Sequence, residues 1–375
     1  MTPVLITHIT TVHSRTDIRI ATKQCRTLQA AGLGQVTLIV ADGKKDAQQE
    51  DLQVYDVGRP GWGRLGRIIC GGWRMWRAVR RLRPSVVHFH DPELIWVGLL
   101  LKLSGCKVMY DIHEDLPLQI MSKHWVPWML RKPLAWFVRI LEGFSAHIFD
   151  ALVPATPSIA RRFDARKAVL VQNHPLSREF VPKSDILAQN RPQAFAYTGG
   201  ISRIRGALEM VQAMDYFSTD CGVRLELAGV FDPPVLQEEV QARPGWKKVR
   251  WHGWIDRKQL AHLLSTVRAG LLLFHPVQNH LRAQPNKMFE YMAAGLPVIA
   301  SDFPLWREII DHAGCGLLVD PLQPRAIAEA MQWILDHPEQ AQDMGRRGRK
   351  AVETSYTWER EGEKLVRLYA DLLGR

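Results

Sequence analysis

Pro285-Asn286-Lys287-Met288-Phe289-Glu290-Tyr291-Met292-Ala293-Ala294-Gly295-Leu296-Pro297-Val298-Ile299-Ala300 reads as a loop, a short helix, a stop and a buried strand. The helix begins near Asn286 and ends at Gly295, a residue suited to the left-handed position after a helix. Pro297 then leads into an apolar run with no polar alternation, as in a strand covered on both faces. Outward from this segment the same rhythm recurs. Strand-like runs at 194–197, 225–229, 249–251, 270–274, 297–301 and 317–319 are separated by helical patterns. An earlier series lies at 4–10, 36–41, 86–90, 108–112 and 148–154. Two such series predict an α/β protein with two Rossmann-like, doubly wound parallel sheets.

Between the series, residues 173–192 carry Pro175, Pro182 and Pro192 among charges, which predicts a linker. The expected domains are therefore 1–172 and 193–355, with one amphipathic helix in 356–375. A length of 375 residues suits two domains, and 46% hydrophobic with 23% charged residues excludes a disordered chain. A net charge of +11 points to an anionic partner: nucleic acid, a phosphorylated small molecule or an acidic lipid surface. The five cysteines are scattered and form no CxxC pair, so neither a disulfide framework nor a zinc site is indicated, and a cytoplasmic setting is expected. No leader-like segment opens the sequence, and the longest apolar run, 94–101, is stopped by Lys102. Membrane contact is expected to be peripheral.

Three segments carry candidate chemistry. At the start of the 286–295 helix, unpaired N–H groups and Lys287 can hold a phosphate, with Asn286 beside them. Glu290, one turn on, can accept hydrogen bonds from the vicinal hydroxyls of a ribose; the plainer reading pairs it with Lys287 at i+3. Tyr197-Thr198-Gly199-Gly200-Ile201-Ser202-Arg203-Ile204-Arg205-Gly206 ends a strand in a glycine-rich turn with two arginines, a pattern fit for phosphate oxygens but not a Walker loop. His88-Phe89-His90-Asp91-Pro92-Glu93 and Asp111-Ile112-His113-Glu114-Asp115 each follow a strand, where open α/β sheets bind ligands. Zinc or iron is the rival reading of these histidines and carboxylates. Orientation of a sugar hydroxyl by an imidazole or carboxylate is preferred, with His13, His90, Asp91 and Glu114 on that side and no metal expected.

Together these motifs, in order and over nearly the whole chain, resemble the family 4 glycosyltransferases. The resemblance implies retaining enzymes of the GT-B fold, two domains facing across a cleft, with a nucleotide-sugar donor as substrate and no further cofactor. It assigns Glu290 to the donor ribose, Arg205 and Lys287 to the donor diphosphate, and His113 to the vicinity of the donor sugar. Gly199, Gly200 and Arg203 fall in the same donor loop. Two positions depart from the family pattern: Arg282 stands where a second glutamate is usual, eight residues before Glu290, and Gly200 where an arginine is usual. Asn279 or Asn286 is the expected substitute for the missing carboxylate.

Residues 62–83 interleave Trp62, Leu65, Ile68, Ile69, Trp73, Trp76 and Val79 with seven arginines from Arg64 to Arg83. Residues 123–141, from Lys123 to Leu141, do the same with Trp125, Trp128, Trp136 and Phe137. Such composition fits a helix at an anionic membrane surface, although a Rossmann helix must also bury an apolar stripe. With the resemblance, it suggests a glycan acceptor linked to a polyprenyl diphosphate, in the assembly of bacterial surface polysaccharide such as O-antigen, capsule or exopolysaccharide, at the inner face of the cytoplasmic membrane. A sugar-nucleotide epimerase would share fold and donor site but needs no such helices. A nucleic-acid-binding protein would share the charge, but no binding motif is present, and nucleic acid is not expected as a partner.

Overall fold

A computed structural model of the protein describes residues 4–61, 63–122, 126–180 and 191–375. Trp62, Lys123, Trp125 and half of the expected linker, with Pro182, lie outside the described residues. Two compact units are present: Met1–Asn173 together with Glu359–Arg375, and His174–Trp358.

In the first unit the strands are β1 (Leu5–Ile9), β2 (Gln35–Val40), β3 (Ala47–Gln49), β4 (Leu52–Asp56), β5 (Val86–Phe89), β6 (Lys107–Ile112) and β7 (Ala151–Pro154). They form a 7-stranded sheet in the order β3-β4-β2-β1-β5-β6-β7, parallel except where β3 meets β4. The run expected at 148–154 is shortened because the helix Trp128–Ile148 keeps Ile148. Sequence reading missed β3 and β4. Leu52 and Val54 are buried while Gln53 and Tyr55 are partly exposed, so β4 alternates like a half-covered strand instead of showing a continuous apolar run.

The second unit holds β8 (Ala194–Thr198), β9 (Arg224–Ala228), β10 (Val249–Trp251), β11 (Ala269–Leu272), β12 (Val298–Ser301) and β13 (Gly316–Val319). Its 6-stranded sheet is parallel throughout, in the order β10-β9-β8-β11-β12-β13. Both sheets reverse their winding beside their first strand, between β1 and β5 and between β8 and β11. Such switch points leave a crevice at the strand ends where ligands bind.

Residues 174–180, expected to be linker, instead pack into the second unit: Phe180 is buried in its core and His174 lies edge-on to Phe289. Tyr291 on the helix Asn286–Ala293 fixes that helix to the sheet, its hydroxyl accepting from the Thr198 amide at 3.1 Å. A Cβ at Gly270 on β11 would come 2.2 Å from the Tyr291 ring, so this strand admits only glycine beneath the helix. Trp306, wholly buried, donates its indole N–H to the Ala283 carbonyl at 2.8 Å and pins the loop before the helix. Burying a side chain of that size stabilises by about 2–3 kcal/mol.

The C-terminal helix Trp358–Leu373 returns the chain to the first unit from Glu359 onward. Leu365 and Tyr369 are wholly buried there, and Glu361 accepts from the Gln172 amide at 2.8 Å.

Candidate active site

The second unit's switch point is built on the turn after β8. Gly199 has φ +100°, and Gly206 has φ +78° where a Cβ would stand 2.1 Å from the Leu273 carbonyl oxygen; side chains are excluded from both. Backbone is thereby brought close to whatever occupies the crevice. Arg205 follows the turn and donates to the Gly200 carbonyl at 3.2 Å while lying over the Phe274 ring. Lys287, at the start of the site helix, donates to the Tyr197 hydroxyl at 3.0 Å, with its ammonium 4.1 Å from that ring's centroid. Tyr197 passes the contact on by donating to the same Gly200 carbonyl at 2.7 Å. Among the described residues neither Arg205 nor Lys287 has a carboxylate within ion-pair distance. Burial, then the neighbouring Arg205 guanidinium, pushes the Lys287 ammonium well below the usual lysine range, with Glu290 pulling the other way. Two cations converging on one neutral cradle form a site for an anion.

Glu290 is taken up by Arg257. Its Oε1 accepts from Arg257 at 2.6 Å, and Arg257 also donates to Glu179 at 2.6 Å while packing over Phe180. The i+3 pairing with Lys287 is therefore not made. Arg203, grouped with the donor loop from sequence, turns outward to an exposed ion pair with Glu239. Asn286 and Arg282 are exposed and Asn279 is partly buried on the short helix Gln278–Leu281. Tyr197, Phe274, Arg257 and Glu179 were not foreseen.

At the first unit's switch point the polar residues are tightly wired. Asp91 Oδ2 accepts from Thr10 Oγ1 at 2.9 Å and from the Thr11 amide at 2.6 Å. His13 lies 3.6 Å from the other oxygen of Asp91 and 3.3 Å from Asp17, and its ring stacks on His113. Asp111 is wholly buried and receives Arg19 in a fork at 2.6 and 3.1 Å, Gln24 at 2.8 Å, and His90 and His113 at 2.9 Å each. Burial would raise its carboxyl; Arg19 and the two histidines override that and hold it well below the usual carboxylate range. Beneath lie His8 and His88, facing each other across β1 and β5. His8, His88 and His90, and likewise His90, Asp111 and His113, bring metal-ligand atoms within 4.8 Å of one another. Glu114 is exposed and joins none of these bonds.

Two doubly wound units, each with a polar cradle at its switch point, place the protein among two-domain α/β transferases of the GT-B fold. The structure of sucrose-phosphate synthase from Thermosynechococcus elongatus superimposes with a TM-score of 0.80 at 20% identity, covering 99% of both chains. That of Anabaena HepE in complex with UDP-glucose does so at 0.73 and 12% identity, covering 98% of this chain and 99% of that one. Residues 182–351 match the family Glycosyl transferases group 1, and residues 18–175 match the Glycosyl transferase 4-like domain. The chain belongs to the group 1 glycosyltransferases, of the family 4 type. A D-rhamnosyltransferase, WbpZ of Pseudomonas aeruginosa, is 28% identical over 227 residues; the match spans 56% of this chain and 56% of that enzyme. An α-(1→4)-mannosyltransferase of Mycolicibacterium hassiacum is 22% identical over 76% of this chain and 71% of its own length.

Proposed function

We propose that the protein is a retaining glycosyltransferase that moves a sugar from a nucleotide-sugar donor to a hydroxyl of a glycan acceptor, without a metal ion. The observation that carries this reading is the pair Arg205 and Lys287, converging on the Gly199–Gly200 turn with no carboxylate within ion-pair distance among the described residues. A nucleoside diphosphate leaving group gathers negative charge at the moment of bond cleavage, and fixed cations placed there lower the barrier. Glu290 holds the ribose with the carboxylate that Arg257 steadies. In a front-face reaction the acceptor hydroxyl attacks on the side from which the phosphate departs, and the departing phosphate oxygen takes its proton. No protein nucleophile is then required. The complex of HepE with UDP-glucose supports a nucleotide-sugar donor at a site of this fold.

Thermal melting with UDP, GDP, ADP and CMP, with and without magnesium, tests the donor site, because a ligand that binds only the folded state raises the melting temperature. One nucleoside diphosphate is expected to stabilise the protein equally in both conditions. Glu290→Ala is expected to weaken that ligand about tenfold or more, the scale of a hydrogen bond to a charged group, while leaving the fold intact. No shift with any nucleotide overturns the donor assignment, and a shift that needs magnesium overturns metal independence.

The acceptor in this reading is a glycan on a polyprenyl diphosphate, used for bacterial surface polysaccharide at the inner face of the cytoplasmic membrane. Support comes from the helix Trp128–Ile148, whose buried positions are Ala135, Glu142, Ser145 and Ala146. Its large apolar side chains face outward: Trp128 is 77% exposed, Met129 68%, Trp136 67% and Phe144 60%. The stripe that this helix packs on the unit is narrow, formed by Ala135, Leu141 and Ala146, and the exposed aromatics lie outside it. In the other stretch the division is mixed, with Met75 and Val79 buried and Leu65, Ile69 and Trp73 exposed. Apolar surface on that scale beside Lys132 and Arg139 suits an anionic bilayer. No described helix is long and apolar enough to cross a membrane. Changing Trp128, Trp136 and Phe137 together to serine is expected to weaken binding to phosphatidylglycerol-containing vesicles about tenfold or more with little change in melting temperature. Equal vesicle binding by the variant and the native protein removes this helix from the membrane reading.

A further inference from the structure

Behind the first unit's polar cradle, five groups from four separate parts of the chain are joined in one line. His88 Nδ1 lies 3.0 Å from the Tyr369 hydroxyl, which lies 3.2 Å from His8 Nε2. His8 Nδ1 lies 2.9 Å from His90 Nε2, and His90 Nδ1 lies 2.9 Å from Asp111 Oδ2. All five residues are buried. A neutral imidazole has one N–H and one lone pair, so each bond settles the next. Asp111, filled by the Arg19 fork and Gln24, is a carboxylate and only accepts; His90 must donate from Nδ1 and accept at Nε2. His8 must then donate from Nδ1 and accept at Nε2 from the Tyr369 hydroxyl, which accepts in turn from His88 Nδ1. The line ends at His88 Nε2, a buried nitrogen with no hydrogen-bond partner among the described residues. In this direction that atom is a bare lone pair. Reversed, it would be a stranded N–H, the costlier orphan, and His90 would aim a lone pair at a carboxylate. Burial favours the neutral form of His8, His88 and His90 throughout.

We propose that Tyr369, on the C-terminal helix, is a positioning residue for His113: its hydroxyl closes a one-way hydrogen-bond relay from His88 through His8 and His90 to Asp111, the carboxylate on which His113 rests. With its Nε2 2.9 Å from the Asp111 carboxylate, His113 donates an Nε2 proton there, and the tautomer this selects presents Nδ1 as an acceptor for a sugar hydroxyl. Partners behind a catalytic ligand set its tautomer and ring angle, and their loss weakens function without touching substrate. The inference rests on the reading of His113 as the group beside the donor sugar. The relay itself does not depend on that reading.

Tyr369→Phe removes one oxygen and keeps the ring. In protein labelled with 15N-histidine, His8, His88 and His90 are expected to carry their protons on Nδ1, and His8, His90 and His113 signals to move in Tyr369→Phe. Turnover is expected to fall about tenfold with donor KM changed by less than about twofold, as for loss of a supporting partner. Leu365→Ala, which removes a wholly buried anchor from the same helix but no member of the relay, is expected to lower the melting temperature and leave turnover unchanged. An Nε2 proton on neutral His8 or His90, a stoichiometric metal ion on these nitrogens in the purified protein, or unaltered turnover in Tyr369→Phe overturns the proposal. Should no nucleotide-sugar support transfer, the functional reading fails, while the histidine signals still decide the relay and its reach to His113.

Discussion

Replacing Lys287 by alanine is expected to lower turnover by ~10²–10³-fold, the usual cost of deleting one preorganised group that stabilises charge in a transition state. Its ammonium is held on the face of Tyr197, next to Arg205, with no carboxylate within ion-pair distance among the described residues. A charge in such a place interacts most strongly when the diphosphate is leaving, so kcat is expected to fall further than donor affinity. The fold is expected to tolerate the change, because burial already presses the ammonium toward its neutral form and its removal relieves that strain. Steady-state kinetics with the nucleotide-sugar identified by melting checks this. A variant with native kcat would take Lys287 out of the reaction.

Mild acid is expected to destabilise the first unit sharply. His8 and His88 are wholly buried, and burial, together with their neighbouring histidines, holds both well below the ordinary value of 6.5. As the pH falls through 6.5, the unfolded chain takes up protons that the folded chain refuses, so stability is lost toward acid. Each such histidine tilts the balance by at most about 1.4 kcal/mol per pH unit, a slope approached once the pH lies below 6.5 and above its folded value. His13 works in the opposite sense: despite burial, its bonds to Asp17 and the charge of Asp91 raise its value, so its contribution is present in acid and lost as the pH rises. It opposes His8 and His88 with a single group. Thermal melting is expected to show a drop of several °C from pH 7 to pH 5, about half of it removed by His88→Gln measured against its own pH 7 baseline. Equal melting temperatures at the two pH values would show that these histidines are charged or solvated in the folded protein.

The sheets were legible because parallel strands covered on both faces leave unbroken apolar runs, as at Val298–Ser301 and Val86–Phe89. β4 escaped because it is covered on one side only. The second unit's cationic cradle was legible in outline, since its glycines, Arg205 and Lys287 lie in two short motifs. Its detail was not: Arg257 meets Glu290 across 33 residues and Tyr197 meets Lys287 across 90, and no local spacing encodes such pairings. Arg203 misled for the converse reason. It sits in the motif, yet a nearer carboxylate, Glu239, draws it to the surface. For the helix Trp128–Ile148 composition fits a surface helix but leaves core burial open, and the packing of Ala135 and Ala146 against the unit shows which way the helix turns.

The first unit is interrupted in the chain. Residues 359–375 complete it, whereas the second unit is one continuous stretch from His174 to Trp358. During synthesis the second unit can therefore close on itself as it emerges, while the first, though begun earlier, waits for its last helix. Until then the sites that receive Leu365 and Tyr369 are open to solvent, and the inner nitrogens of His8 and His88 have no phenol to meet. The unit that is begun earlier is completed later, and termination of the chain between residues 359 and 375 would damage it while sparing the unit His174–Trp358.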